Sequence, residues 1–256
     1  MSDSLPVFAA GATSAGVLAS LPASYHHSEA ASGGVTVIGG SRGWPRAAAT
    51  AIRAGAAGVI VTAPEPEDLS PLRSGGLIVV DSIWATNPVA ASAGAAFRSA
   101  ASPGSRLECR VRVAVGRSLA AVLLDQLSLI RALLAPATEL RILHRSEHGF
   151  VAEASAAGIA VDLSAICTDS APQQASARLL TVDGGVHVQI PDGTTAQPAL
   201  LTVTGPDGTL LAPTRYESGH RAAWRRLHHL LSTGERCTDL DDLEADIATA
   251  SIYPEG

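Results

Sequence analysis

Residues 1–116 alternate short apolar runs of β type with Ala-rich stretches of helical type, and this alternation stops at Ser118. Strands separated by helix-length crossovers pair in parallel, with helices covering the sheet. The runs are residues 6–10, 35–38 (Val-Thr-Val-Ile), 58–62 (Gly-Val-Ile-Val-Thr), 77–80 (Leu-Ile-Val-Val) and 107–115. Between them, residues 17–21 read as a short helix and 25–34 as a polar, His-containing loop. Pro45 stands where a helix starts, with 47–54 behind it; 64–71 is a poor helix and 88–100 a good one. Five strands with four crossovers predict a doubly wound, Rossmann-like parallel sheet.

After Ser118 the pattern changes. Residues 119–134 form one apolar helix, and then strands follow one another at tight turns. Asp183-Gly184, Asp192-Gly193 and Asp207-Gly208 lie between β-type runs at 177–182, 186–190, 199–203 and 210–211, which is hairpin chemistry. Helices at 221–231 and 240–250 close the chain, the latter opened by Thr238 with Asp241 three positions on. The expected class is α/β plus α+β: a Rossmann-like domain over 1–116, then an open antiparallel sheet with packed helices over 117–256.

Composition narrows the chemistry. All 18 basic residues are Arg against 24 acids, a formal charge of −6. A chain without lysine has no Schiff-base lysine, no lysine acid and no P-loop lysine, and the absence of a basic stripe argues against nucleic acid. Cys109, Cys167 and Cys237 are widely spaced and form no C-x-x-C pair, so reduced structural thiols are expected and neither a disulfide framework nor a zinc cluster. The eight histidines show no trustworthy metal spacing: His144 and His148 fall on a strand and loop, and His26-His27 and His228-His229 are adjacent. Surface or hydrogen-bonded histidines are expected. The start of the chain, Met1-Ser2-Asp3-Ser4, lacks the basic charge of a secretory signal, and no long apolar run spans a membrane, so a cytoplasmic protein is expected.

Two segments suggest a dinucleotide. Gly11-Ala12-Thr13-Ser14-Ala15-Gly16 follows the first strand with the outline of G-x-G-x-x-G, Thr13 replacing the middle Gly. A simple strand-to-helix turn is the competing reading. After the run at 35–38 comes Gly39-Gly40-Ser41-Arg42-Gly43-Trp44-Pro45-Arg46, with no acid for a ribose. A small hydroxyl followed by Arg accommodates a 2′-phosphate, so NADP(H) is expected over NAD(H), with a solvated turn as the alternative.

The order of elements, with Gly39 to Arg46 and with Gly116-Arg117-Ser118-Leu119 leading into Leu123-Leu124-Asp125, resembles a shortened, degenerate Gfo/Idh/MocA oxidoreductase. Within that superfamily these motifs look closest to thiazolinyl imine reductases of siderophore pathways. The resemblance implies an NADP(H)-dependent reductase of a small imine or carbonyl compound in secondary metabolism, and a homodimer formed through the outer face of the carboxyl-terminal sheet. It also implies a lysine where this chain has Ser82, and an Asp and a His on the long helix where it has Ala121 and Asp125.

Asp125 is therefore a candidate acid, on a stripe with Ala121, Ser128 and Ala132 expected to face a cleft. An ion pair with Arg131 or Arg117 is its competing role. Asp81, at a strand's carboxyl end, is the second catalytic candidate, with a helix-capping or turn role as the competing reading, and Ser82 and Ser128 are expected to line the substrate. The alternating run Ile159, Val161, Leu163, Ala165 supports an apolar sheet face for dimerisation. The losses leave open a second class: a non-redox descendant serving as a binding or partner subunit, or a cofactor-independent enzyme.

Overall fold

The computed structural model describes residues 5–9, 25–28, 32–73 and 75–251. The chain divides into two compact units, Met1–Ile83 with Gly219–Glu244, and Trp84–Ser218 with Ala245–Gly256.

The first unit is built on five parallel strands: β1 (Leu5–Ala9), β2 (Tyr25–His27), β3 (Val35–Gly39), β4 (Gly58–Thr62) and β5 (Ile78–Asp81), in the order β2-β1-β3-β4-β5. Two expectations are corrected. The polar loop at 25–34 contributes an edge strand, because Tyr25 is buried on the core while His26 and His27 face outward. The run at 107–115 does not join this sheet at all.

Strand pleating sends alternate side chains to opposite faces. Val7, Val35, Val37, Ile60 and Val79 form one apolar face. Helix α1 (Trp44–Arg53) buries Trp44, Ala48, Ala49 and Ala51, beside β3 and β4. Among the described residues between β4 and β5 the helical element is one 3-10 turn, Ser70–Leu72, and no crossover helix covers the sheet there. The Val7–Val79 face is covered instead by a helix from near the end of the chain, Gly219–Thr233, which packs Ala223, Trp224, Leu227 and Leu230 onto it. The contact is close: a methyl group on Gly58 would come within 2.9 Å of Leu227 Cδ1. The free edge of β5 is satisfied by side chains, Asp239 Oδ2 accepting the Val80 N–H at 2.9 Å and Cys237 Sγ donating to the Ile78 carbonyl at 3.0 Å.

The second unit carries helices α2 (Pro88–Ala100) and α3 (Leu119–Leu133) and an eight-stranded sheet. Its strands are β6 (Arg106–Val113), β7 (Ala137–Ser146), β8 (Gly149–Ala156), β9 (Ile159–Cys167), β10 (Gln174–Leu180), β11 (Gly185–Pro191), β12 (Leu200–Gly205) and β13 (Gly208–Leu211). The order is β13-β12-β11-β10-β6-β9-β8-β7, antiparallel except for the parallel pair β6 and β9. The 107–115 run belongs here because β6 alternates strictly, burying Leu107, Cys109, Val111 and Val113 and turning Arg106, Glu108, Arg110 and Arg112 outward. A strand inside a doubly wound sheet is apolar on both faces.

Ile159, Val161, Leu163 and Ala165 are buried, so the face offered for dimerisation is the inner one. The opposite face carries Arg106 on Asp162 and Arg110 on Glu108, with Val151 and Ile166 exposed. The two helices pack tightly: a methyl on Gly94 of α2 would lie 2.4 Å from the Ala132 carbonyl after α3's midpoint.

With α1 to α3 so numbered, Gly219–Thr233 is α4 and Asp239–Ala250 is α5. Helix α5 begins in the first unit and ends in the second. Among the described residues, no helix is long and apolar enough to cross a membrane.

Candidate functional site

In an open parallel sheet, ligands gather at the carboxyl ends of the strands where the chain order reverses. Here β1 pairs with β2 on one side and β3 on the other, so that reversal lies between β1 and β3. Gly11, Thr13 and Gly16, which follow β1 in the sequence, lie outside the described residues.

The loops after β3 and β4 are knitted together. The Gly40 N–H donates to the Thr62 carbonyl and its own carbonyl accepts the Glu65 N–H, both at 2.7 Å. A methyl on Gly40 would sit 2.3 Å from Pro64 Cα, so only glycine allows this approach. Ala63 adopts a left-handed φ of 47°, a strained setting for a non-glycine residue. Trp44 Nε1 donates to the Glu65 carbonyl at 2.9 Å, and the Gly43 N–H at the start of α1 donates to Glu67 Oε1 at 2.5 Å.

Ser41 and Arg42 are exposed on this rim. They follow β3, whereas the dinucleotide fold reads the adenosine ribose at the end of the strand that follows the first crossover, which is β2. They therefore stand across β1 from that position, which is held by His27 and Ser28. The anion-attracting amino end of α1, next to Arg42, is already served by the carboxylate of Glu67.

Asp81 ends β5 beside Thr62 of β4, and its carbonyl accepts the Ala63 N–H at 2.9 Å. Asp81 and Ser82 are both buried. Asp81 Oδ2 lies 2.5 Å from Nδ1 of His220, and Trp224 Nε1 donates to His220 Nε2 at 3.0 Å. The Trp224 carbonyl accepts the Tyr25 hydroxyl at 2.8 Å, and the two rings meet edge-on at 4.7 Å. Burial pushes the Tyr25 phenol far above its ordinary range, so it acts only as a neutral donor.

His220 was hidden in the sequence: it lies 139 residues from Asp81. Its local signal is the four-residue spacing to Trp224 on an amphipathic helix, which places both on one face.

In the second unit, Asp125 is buried and meets Arg117 Nη2 at 3.3 Å. This is the ion pair with Arg117 that competes with a catalytic role for Asp125. Arg117 Nη1 is buried and meets no acceptor among the described residues. Ser128 donates to Asp246 Oδ2 at 2.9 Å, and Arg131 meets the same carboxylate at 2.9 Å. Ala121, Asp125 and Ser128 are thus covered, with Ser128 engaged inside the unit.

The thiols are poor nucleophiles. Burial pushes Cys109 up to about 12 and Cys237 up to about 11, and raises Cys167. Among the described residues, no group of three or more His, Cys, Asp or Glu is placed to hold a metal.

Solved Gfo/Idh/MocA-type oxidoreductases share this fold. KijD10, a 3-ketoreductase from Actinomadura kijaniata crystallised with TDP-benzene and NADP, matches with a TM-score of 0.68 at 10% identity, over 97% of this chain and 96% of its own. An aldose-aldose oxidoreductase from Caulobacter crescentus, complexed with glycerol, matches with a TM-score of 0.68 at 11% identity, over 99% and 97%. The dehydrogenase MviM from Clostridium difficile follows at 0.58 and 9% identity, over 85% and 78%. No family model matches the sequence, and no curated protein matches it.

Proposed function

We propose that this protein is an NADP(H)-dependent oxidoreductase acting on a small carbonyl or imine compound in secondary metabolism. The observation that carries the reading is the chain reversal between β1 and β3, opening onto a rim of small residues. Gly39, Gly40, Ser41 and Ala63 put little side chain where a dinucleotide must approach backbone, so the residues present fit that cofactor. A bound dinucleotide supplies or accepts the hydride.

The chain supplies the rest. Gly11, Thr13 and Gly16 hold the pyrophosphate, His27 and Ser28 meet the adenosine ribose and its 2′-phosphate, and Ser41 and Arg42 face the other half of the cofactor. Asp81 handles the proton and Ser82 lines the substrate. The crystallisation of KijD10 with NADP supports the choice of cofactor. The outer face of the eight-stranded sheet, with its Arg–acid pairs around exposed Val151 and Ile166, is the proposed homodimer surface.

A thermal titration with NADPH, NADH and neither tests the reading. Saturation at a hundredfold over Kd stabilises the folded state by about 2.7 kcal/mol, which raises Tm by roughly 5–10 °C for a chain of this size. No shift with either dinucleotide at millimolar concentration refutes it. The burial of Asp125 on Arg117 favours a second reading, a dinucleotide-binding partner subunit. Binding without turnover of any carbonyl or imine would support that one.

A further inference from the structure

The polar chain from Tyr25 to Asp81 does more than dock α4, since Ala223, Trp224, Leu227 and Leu230 already anchor that helix. An indole N–H can only donate, so His220 Nε2 must present a lone pair to Trp224. The single ring proton then sits on Nδ1, facing Asp81 Oδ2. Both ring nitrogens are assigned, and the ring cannot flip without losing both bonds. Trp224 is itself fixed by the Tyr25 hydroxyl and ring. His220 thus holds Asp81 by its Oδ2 atom and fixes the plane of the carboxyl group.

We propose that His220 is a positioning residue for Asp81, locked by Trp224 as the Nδ1–H tautomer, and that the Asp81 carboxyl group exchanges the substrate's proton. This rests on the oxidoreductase reading above. In reduction, the substrate carbon gains hydride from the reduced dinucleotide, which is oxidised. The π electrons of the C=O or C=N bond move onto the heteroatom, which takes the proton from the carboxyl group of protonated Asp81. The carboxylate left behind keeps its bond from Nδ1–H and recovers a proton from water. Oxidation is the reverse.

The test compares wild type with His220→Asn, whose amide N–H can replace Nδ1–H, and with His220→Phe, which cannot donate. Nitrogen-15 spectra of histidine-labelled protein should show His220 protonated at Nδ1, and NADP+ should shift that resonance while leaving His187 unmoved. With NADPH and either DL-glyceraldehyde or 2-methyl-1-pyrroline as probe, His220→Phe should lower kcat about 100-fold with KM nearly unchanged, and His220→Asn should recover to within about tenfold of wild type. Equal losses in the two variants, an Nε2–H tautomer, or a His220 resonance indifferent to bound NADP+ would each overturn the proposal. Where neither probe turns over, the NADP+ response decides. Failure of both dinucleotides to bind refutes the oxidoreductase reading itself, a result distinct from binding that leaves His220 unmoved.

Discussion

Gly40→Ala places one methyl group where the loops after β3 and β4 cross. The new Cβ would lie 2.3 Å from Pro64 Cα, 2.5 Å from Pro64 N and 2.6 Å from the Ala63 carbonyl oxygen. All three are backbone atoms, so no side chain can rotate away. An ordinary contact begins near 3.4 Å, so the loops must part by about 1 Å, and overpacking of this kind costs about 2 kcal/mol. Tm should fall by roughly 4–8 °C. Gly43→Ala is the control: Gly43 has φ of 89° and open space around its Cβ position, so the cost there is backbone strain alone, about 1–2 kcal/mol. Both variants should lose similar stability, but only Gly40→Ala moves the rim. A displacement of that size breaks backbone hydrogen bonds to a positioned ligand, and each one lost weakens binding by about tenfold. Calorimetric titration with NADPH at a temperature where both variants are folded separates the effects. Unchanged NADPH affinity in Gly40→Ala, or equal weakening in Gly43→Ala, would refute the placement of the cofactor on this rim.

Arg42→Ala should weaken NADPH and NADH by the same factor, because Arg42 follows β3 and not β2; a loss of at least tenfold confined to NADPH would return the 2′-phosphate to Arg42. Asp246→Ala removes the shared acceptor of Ser128 and Arg131 inside the second unit and should cost about 3–5 kcal/mol in urea unfolding. A cost below about 1 kcal/mol would mean that water replaces the carboxylate. The folded Cys109 thiol, held near 12 against an ordinary value of 9.0, stays protonated while the unfolded one ionises. Its stabilising contribution is therefore complete below pH 9 and should fall by about 1.4 kcal/mol per pH unit from there until pH 12, read from urea melts at pH 8 and 10.5. A melt unchanged between these values would argue that the thiol is not shielded.

Local periodicity made most elements legible. The runs at 35–38, 58–62 and 77–80 and the helices at 88–100 and 119–134 fall within a residue or so of β3, β4, β5, α2 and α3, because an apolar period is a property of neighbouring residues. Asp81 at a strand's carboxyl end, the hairpins β10–β11 and β12–β13, and the absence of a good helix after β4 were readable for the same reason. Pairing was not, since it depends on which faces the rest of the chain covers. β6 joins the mixed sheet because its outward arginines and Glu108 need solvent. β2 passes for a loop because at three residues it is too short to show a period and two of its side chains face outward. Helix α4 returns to the first sheet because, among the described residues, no crossover helix between β4 and β5 covers that apolar face. Strand order in turn set Ser41 and Arg42 opposite β2, and the return of α4 set His220 on Asp81. The sequence by itself determined which segments bury an apolar stripe and which chemistry the missing lysines exclude. Only the tertiary structure decided which stripes meet, because burial rewards any matching apolar face regardless of its distance along the chain.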